Sequence, residues 1–249
     1  MKKLFEKNEL LFALLWIGVY VLGLGNADML SESIGVPKLI SALLGLFLSL
    51  VLWSFVRKNR LKEYLGLCGL QVRPRRLLYF VPLIIISSVN FWNGLCMNYD
   101  VLTALLFVIS MCFVGFLEEL IFRGFLFRAM CHDGMKWAII VSSLSFGVGH
   151  IVNLLLGAPL FETLLQLVYA SAIGFCYTAV FCACGSIVPC IISHALVNST
   201  SAFAVDASNS CQLIIALIQT LLSVSYGLWL LRRSPALSDS HTEVDHGSI

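Results

Sequence analysis

Apolar residues run along this chain in long blocks, and polar residues collect in the short gaps between them. A bilayer core of about 30 Å takes roughly 20 apolar residues per helix. Eight blocks approach that length, at residues 10–24, 39–56, 77–92, 101–116, 137–156, 164–181, 186–205 and 213–231. The fourth pattern continues past its apolar run to Met130, the third is short, and the seventh is the most polar. This predicts an all-α polytopic membrane bundle of about eight transmembrane helices, forming one domain over residues 1–233. Residues 234–249 are polar, without apolar periodicity, and read as a disordered tail. The first block reads as a retained span, because Gly25-Asn26-Ala27-Asp28 makes a poor cleavage site.

Composition agrees with the pattern. Of the 249 residues, 59% are hydrophobic and 12% are charged, with a mean hydropathy of +0.92. A soluble domain carries about 25% charge, so a single soluble core of this composition is excluded. The nine cysteines form no framework. Cys112, Cys176, Cys182, Cys184 and Cys190 lie in or beside apolar runs, where Cys acts as a small hydrophobe.

The distribution of charge says more than the net charge of +2. Lys2, Lys3 and Lys7 precede the first block. Arg57, Lys58, Arg60, Lys62, Arg73, Arg75 and Arg76 follow the second, Arg128 and Lys136 flank the loop after the fourth, and Arg232 and Arg233 follow the last. With eight crossings all of these fall on one side, and Lys38 alone falls on the other. Lys and Arg mark cytoplasmic loops, so both termini are expected in the cytoplasm. No nucleic-acid partner is expected; the lipid bilayer is.

Ionisable groups inside a span are costly and mark functional sites. Most acidic residues avoid that cost by standing in loops, in tails or at helix ends. Glu118 and Glu119 do not, because the apolar pattern continues on both sides of them. Arg123 lies four residues beyond Glu119, the favourable order for a helical ion pair. Glu119 is therefore expected to pair with Arg123. Glu118, about 100° further around the helix, is expected to stay free.

Two later spans carry imidazoles. One holds Phe146-Gly147-Val148-Gly149-His150 followed by Asn153, and its glycines are expected to let a neighbouring helix approach. The other holds Ser193-His194 and Asn198, with His194 and Asn198 on one face at i, i+4 spacing. At about 1.5 Å rise per residue, Glu118, His150, His194 and Asn198 lie roughly 12–21 Å from the same membrane face. Scattered packing polars have no reason to share a level.

A carboxylate and an imidazole at one level can activate a water. Burial raises a carboxyl pKa and a nearby guanidinium lowers it, so such a group can be tuned toward ambient pH. Glu118 is the candidate base, with His150 assisting, and His194 and Asn198 are candidate donors to a developing oxyanion. Alternatively, Glu118, His150 and His194 are the ligand types of a zinc site, although the spacing lacks the His-Glu-x-x-His pattern. Spacing alone leaves both open.

Glu118-Glu119-x-x-x-Arg123, Phe146-x-x-x-His150 and His194-x-x-x-Asn198 resemble the three signature motifs of the CAAX protease and bacteriocin-processing family, CPBP or Abi, which includes the type II CAAX prenyl endopeptidases. The resemblance covers about 102–205. It implies an eight-helix, cytoplasm-accessible intramembrane endopeptidase. Glu118 and His150 would activate water, His194 and Asn198 would stabilise the oxyanion, and Glu119 and Arg123 would support them. Family members are described both as metalloproteases and as metal-free glutamate proteases, and the metal-free form is the expectation here. The short chain and minimal loops resemble the bacterial branch, which implies a bacterial cell membrane and a peptide precursor or membrane-associated protein as substrate. Two other readings compete: a non-catalytic immunity or scaffold protein of the same family, and a proton relay or transporter, for which the chain lacks internal repeats.

Overall fold

A computed structural model describes residues 1–70 and 80–233. The predicted tail and Arg73, Arg75 and Arg76 lie outside the described residues. The described chain is all-helical, and its only β contact is an isolated bridge between Leu95 and Ala204. The helices are α1 (Lys2–Lys7), α2 (Glu9–Ser33), α3 (Leu39–Lys58), α4 (Val81–Ser87), α5 (Val101–Glu119), α6 (Phe127–Cys131), α7 (Met135–Gly149), α8 (Val152–Leu155), α9 (Leu160–Cys184), α10 (Val188–Thr200) and α11 (Asn209–Arg233). A π-helical turn, Leu120–Leu126, joins α5 to α6.

Local chemistry sets the boundaries. Asn8 caps α2 by accepting from the Leu11 N–H at 2.8 Å, and Asp100 caps α5 by accepting from Leu102 and Thr103. Gly185 ends α9 with a left-handed backbone (φ 66°), a conformation that a side chain disfavours. Pro189 stands in the first turn of α10, where its missing N–H costs little.

Six helical stretches are long and apolar enough to cross a membrane: Glu9–Ser33, Leu39–Lys58, Val101–Cys131, Met135–Leu155, Leu160–Cys184 and Asn209–Arg233. Among the described residues these account for six of the eight expected blocks. Within its described residues the third block forms the seven-residue α4 and a 3-10 turn, Val89–Phe91. The seventh forms the 13-residue α10 and a second 3-10 turn, Ser201–Phe203. Both blocks are helical, and each includes a 3-10 turn. They pack on each other through Ser87 and Ser193, whose hydroxyls lie 2.8 Å apart, and through Asn90, which donates to the Val197 carbonyl and to Thr200.

Contacts between elements assign the two ends of the bundle. At one end Tyr64 donates to Glu9 at 2.7 Å, His132 lies 3.8 Å from Glu9, and the Ile187 N–H donates to the Gly66 carbonyl. At the other end Lys38 pairs with Asp28, and the Cys96 N–H donates to the Phe203 carbonyl.

Glycine permits close helix approach at Gly147 and Gly115 beside the site. A Cβ at Gly147 would fall 1.9 Å from the Ser171 hydroxyl and 2.7 Å from the Leu167 carbonyl, so α7 and α9 meet there. A Cβ at Gly115 would fall 2.8 Å from the Ala195 nitrogen, which brings α5 against α10. Gly149, also expected at a close approach, has open space around it.

Candidate active site

Glu118 and Glu119 end the α-helical part of α5, where the backbone widens into the π turn. Wide turns of this kind occur often at functional sites because they re-aim side chains. Glu119 and Arg123 are fully buried, and Arg123 Nη1 donates to Glu119 Oε1 at 2.9 Å, the expected pair. The Arg123 guanidinium also lies 4.3 Å from the Phe146 ring centre and 5.6 Å from that of Tyr177. These aromatic faces supply the attraction for a cation that water would otherwise give.

The close contact at Gly115 carries His194 to the carboxylates. His194 Nδ1 lies 2.8 Å from Glu119 Oε1, the oxygen that also takes Arg123. Its Nε2 lies 3.4 Å from Glu118 Oε2. Thus one imidazole bridges the carboxylate pair, with Glu119 fixing its orientation. The ring packs at 5.5 Å from Phe146 and 5.9 Å from Tyr177, centre to centre. The Tyr177 hydroxyl lies 2.9 Å from that of Ser193, next to His194 in sequence.

Glu118 is not free, contrary to expectation. Its Oε1 accepts a hydrogen bond from the Tyr20 hydroxyl of α2. Sequence reasoning left the first span out of the site and so missed Tyr20. The available signal was a single phenol amid the Val, Leu and Gly of an apolar block, because a buried Tyr hydroxyl seeks a partner. Ser193 and Tyr177 went unnoticed for a related reason: neither residue type is costly enough in a span to attract attention.

Glu118 stands in the wall of a cavity of about 330 Å³, and His150, Asn153, Gln166 and Asn198 share that wall. A neighbouring cavity of about 190 Å³ is lined by His150, His194, Asn198 and Tyr177. His150 closes the end of α7, and its Nδ1 lies 3.0 Å from the Phe146 carbonyl. If that nitrogen carries the proton, Nε2 is left as an acceptor. All six residues singled out by sequence therefore gather at one place: Glu119 and Arg123 in the protein interior, Glu118, His150 and Asn198 on the larger cavity, and His194 between the two groups.

The donor set for a metal was Glu118, His150 and His194. Among the described residues no three His, Cys, Asp or Glu side chains are arranged to hold a metal ion. His194 spends Nδ1 on Glu119, and the Nδ1 of His150 faces a carbonyl. Each ring keeps Nε2 available, so these contacts are compatible with metal ligation, but the three side chains are not gathered to hold a metal.

An all-helical bundle with six span-capable helices around a buried carboxylate–imidazole cluster defines an integral membrane protein with a candidate intramembrane hydrolytic site. Residues 100–200 match the Rce1-like family model, described as type II CAAX prenyl endopeptidase Rce1-like. This stretch carries every residue of the three motifs, and over it the chain is similar to the type II CAAX prenyl endopeptidases. No curated protein and no solved structure matches the chain.

Proposed function

We propose that the protein is an intramembrane endopeptidase that hydrolyses a peptide bond with a water activated by Glu118. The observation that carries this reading is the position of Glu118: a carboxylate held by Tyr20 and flanked by His194, on the wall of a cavity shared with His150 and Asn198. Glu118 takes a proton from the water as its oxygen attacks the substrate carbonyl carbon. His150, across the cavity, holds the water. The carbonyl oxygen becomes an oxyanion, to which Asn198 Nδ2–H and a protonated His194 nitrogen are the candidate donors. The proton on Glu118 then passes to the leaving nitrogen as the carbon–nitrogen bond breaks, and the carboxylate is regenerated. Glu119 and Arg123 are positioning residues that fix His194. No covalent intermediate is required.

The substrate is a peptide precursor or a membrane-associated protein. Glu118→Gln removes the base and keeps the shape, and general acid–base groups contribute about 10²–10⁴-fold to rate. Peptides that accumulate in membranes containing Glu118→Gln, and disappear with the intact protein, would be the substrates. Unchanged cleavage of such a peptide by purified Glu118→Gln and His150→Ala would overturn the reading. Elemental analysis of the purified protein, with a chelator arm in the assay, separates a carboxylate-only mechanism from a metal-assisted one. Biological activity that survives Glu118→Gln would instead favour the non-catalytic scaffold.

A further inference from the structure

The lining of the Glu118 cavity runs from Glu118 toward one end of the bundle. From Glu118 its wall runs to Asp28 on α2, Ser41 on α3, Leu156 after α8 and Ser201 after α10. All four belong to the end of the bundle where Lys38 pairs with Asp28 and Cys96 meets Phe203. On the other side of Glu118 the path is closed. Leu117, Leu120, Ile121, Phe125 and Leu126 are each at most 1% exposed and fill the interior toward the opposite end.

A second cavity of about 400 Å³ extends the open side. It shares Gln166 with the Glu118 cavity and reaches Glu162 and Asp206 at its rim. Gln219 stands in its wall, 4% exposed, and its Nε2 has no hydrogen-bond partner. A buried amide without a partner is costly, and a peptide carbonyl is the acceptor such a donor lacks.

The two ends also differ in charge. Among the described residues outside the spans, Lys38 is the sole basic residue at the open end, and it is already paired. The other described Lys and Arg, Arg123 excepted, stand at the end where the N-terminal helix meets Tyr64 and His132. Lys and Arg next to spans are retained on the cytoplasmic side.

We propose that the site takes its substrate from the non-cytoplasmic side of the membrane, so that the segment cleaved belongs to an exported or membrane-anchored peptide and enters past Asp28 and Ser201. The family resemblance implies cytoplasmic access, and the direction of this cavity relative to the basic end departs from it. The inference builds on the hydrolytic reading of Glu118, but the sidedness rests on the cavity and the charges alone.

Site-resolved thiol labelling tests it without turnover. The full chain in its own membrane is treated with a membrane-impermeant sulfonate methanethiosulfonate, once in intact spheroplasts and once in inside-out vesicles, and each cysteine is read by mass spectrometry. Native Cys96 is exposed at the open end and needs no substitution. Met111→Cys reports the cavity wall, and Lys7→Cys reports the basic end. Cys96 and Met111→Cys should label in spheroplasts, and Lys7→Cys only in inside-out vesicles. Labelling of Met111→Cys from inside-out vesicles alone, or from neither side, overturns the proposal. If Met111→Cys fails to accumulate, Ser201→Cys at the mouth replaces it under the same criteria. Because labelling requires no catalysis, an inverted result leaves the hydrolytic reading standing. Equally, cleavage that survives Glu118→Gln leaves the sidedness standing.

Discussion

His194 Nδ1 and Arg123 Nη1 converge on one oxygen, Oε1 of Glu119, at 2.8 and 2.9 Å. The two cations, or one cation and one neutral imidazole, therefore depend on a single buried carboxylate. Removing Arg123 would leave Glu119 charged and uncompensated. Breaking a buried pair from one side costs about 3–5 kcal/mol, so Arg123→Ala is expected to unfold or fail to accumulate. Thermal melting in detergent, scored by fluorescence-detected gel filtration, checks this. A variant as stable as the parent would show that Arg123 is not needed to hold Glu119.

Tyr20 donates a hydrogen bond to Glu118. Tyr20→Phe keeps the ring and deletes the donor. A hydrogen bond to a charged group contributes about 1.5–3 kcal/mol, which corresponds to roughly 10–100-fold in rate where it acts on the transition state. kcat/KM is expected to fall by that factor while melting changes little. A fall in stability with unchanged kcat/KM would assign Tyr20 to packing alone.

Helix approach at Gly115 sets the distance between the carboxylates and His194. Its added Cβ would meet backbone, the Ala195 nitrogen at 2.8 Å, which cannot rotate away. Overpacking of this kind costs about 1–3 kcal/mol. Gly115→Ala should lower both stability and activity, whereas Gly149→Ala, with open space around it, should be tolerated for stability. Thermal scans of the two variants side by side decide it.

Much of this arrangement was legible in the sequence because charge is expensive in hydrocarbon. Glu118, Glu119, Arg123 and His150 stood out for that reason, and the i, i+4 spacing paired Glu119 with Arg123 correctly. What could not be read was cheap in energy or depended on geometry. Tyr20 is nearly neutral in a span, and the π turn at Leu120–Leu126 leaves no mark in an apolar run that reads Leu-Ile-Phe. Hydropathy also counts residues rather than rise, so the 3-10 turns that shorten the α4 and α10 blocks were not legible in it.

Outside the spans, Asp100 provides a pH test of the α5 cap. The Thr103 hydroxyl and N–H, which donate to it, hold its carboxyl below the ordinary value of 3.8. A depressed folded value means that the stabilisation is complete above 3.8 and is lost as pH falls through the folded value. The stability difference between the parent and Asp100→Ala should therefore shrink in acid, while Asp100→Asn, which keeps an acceptor, should show less of that dependence. Melting curves of the three proteins across acidic pH measure it. A difference that does not change with pH would remove the carboxylate from the cap.

The pairing of α4 with α10 has a consequence for the lipid around it. Thirteen helical residues rise about 20 Å, short of a hydrocarbon core of about 30 Å. Ile84 and Ile85 on α4 and Ile192 and Leu196 on α10 are exposed. The hydrocarbon core beside this pair is thicker than the helical rise, and the bilayer relieves the mismatch by thinning. The bilayer is thus expected to dip beside the helix that carries His194, so that the depth of the site is set partly by lipid thickness.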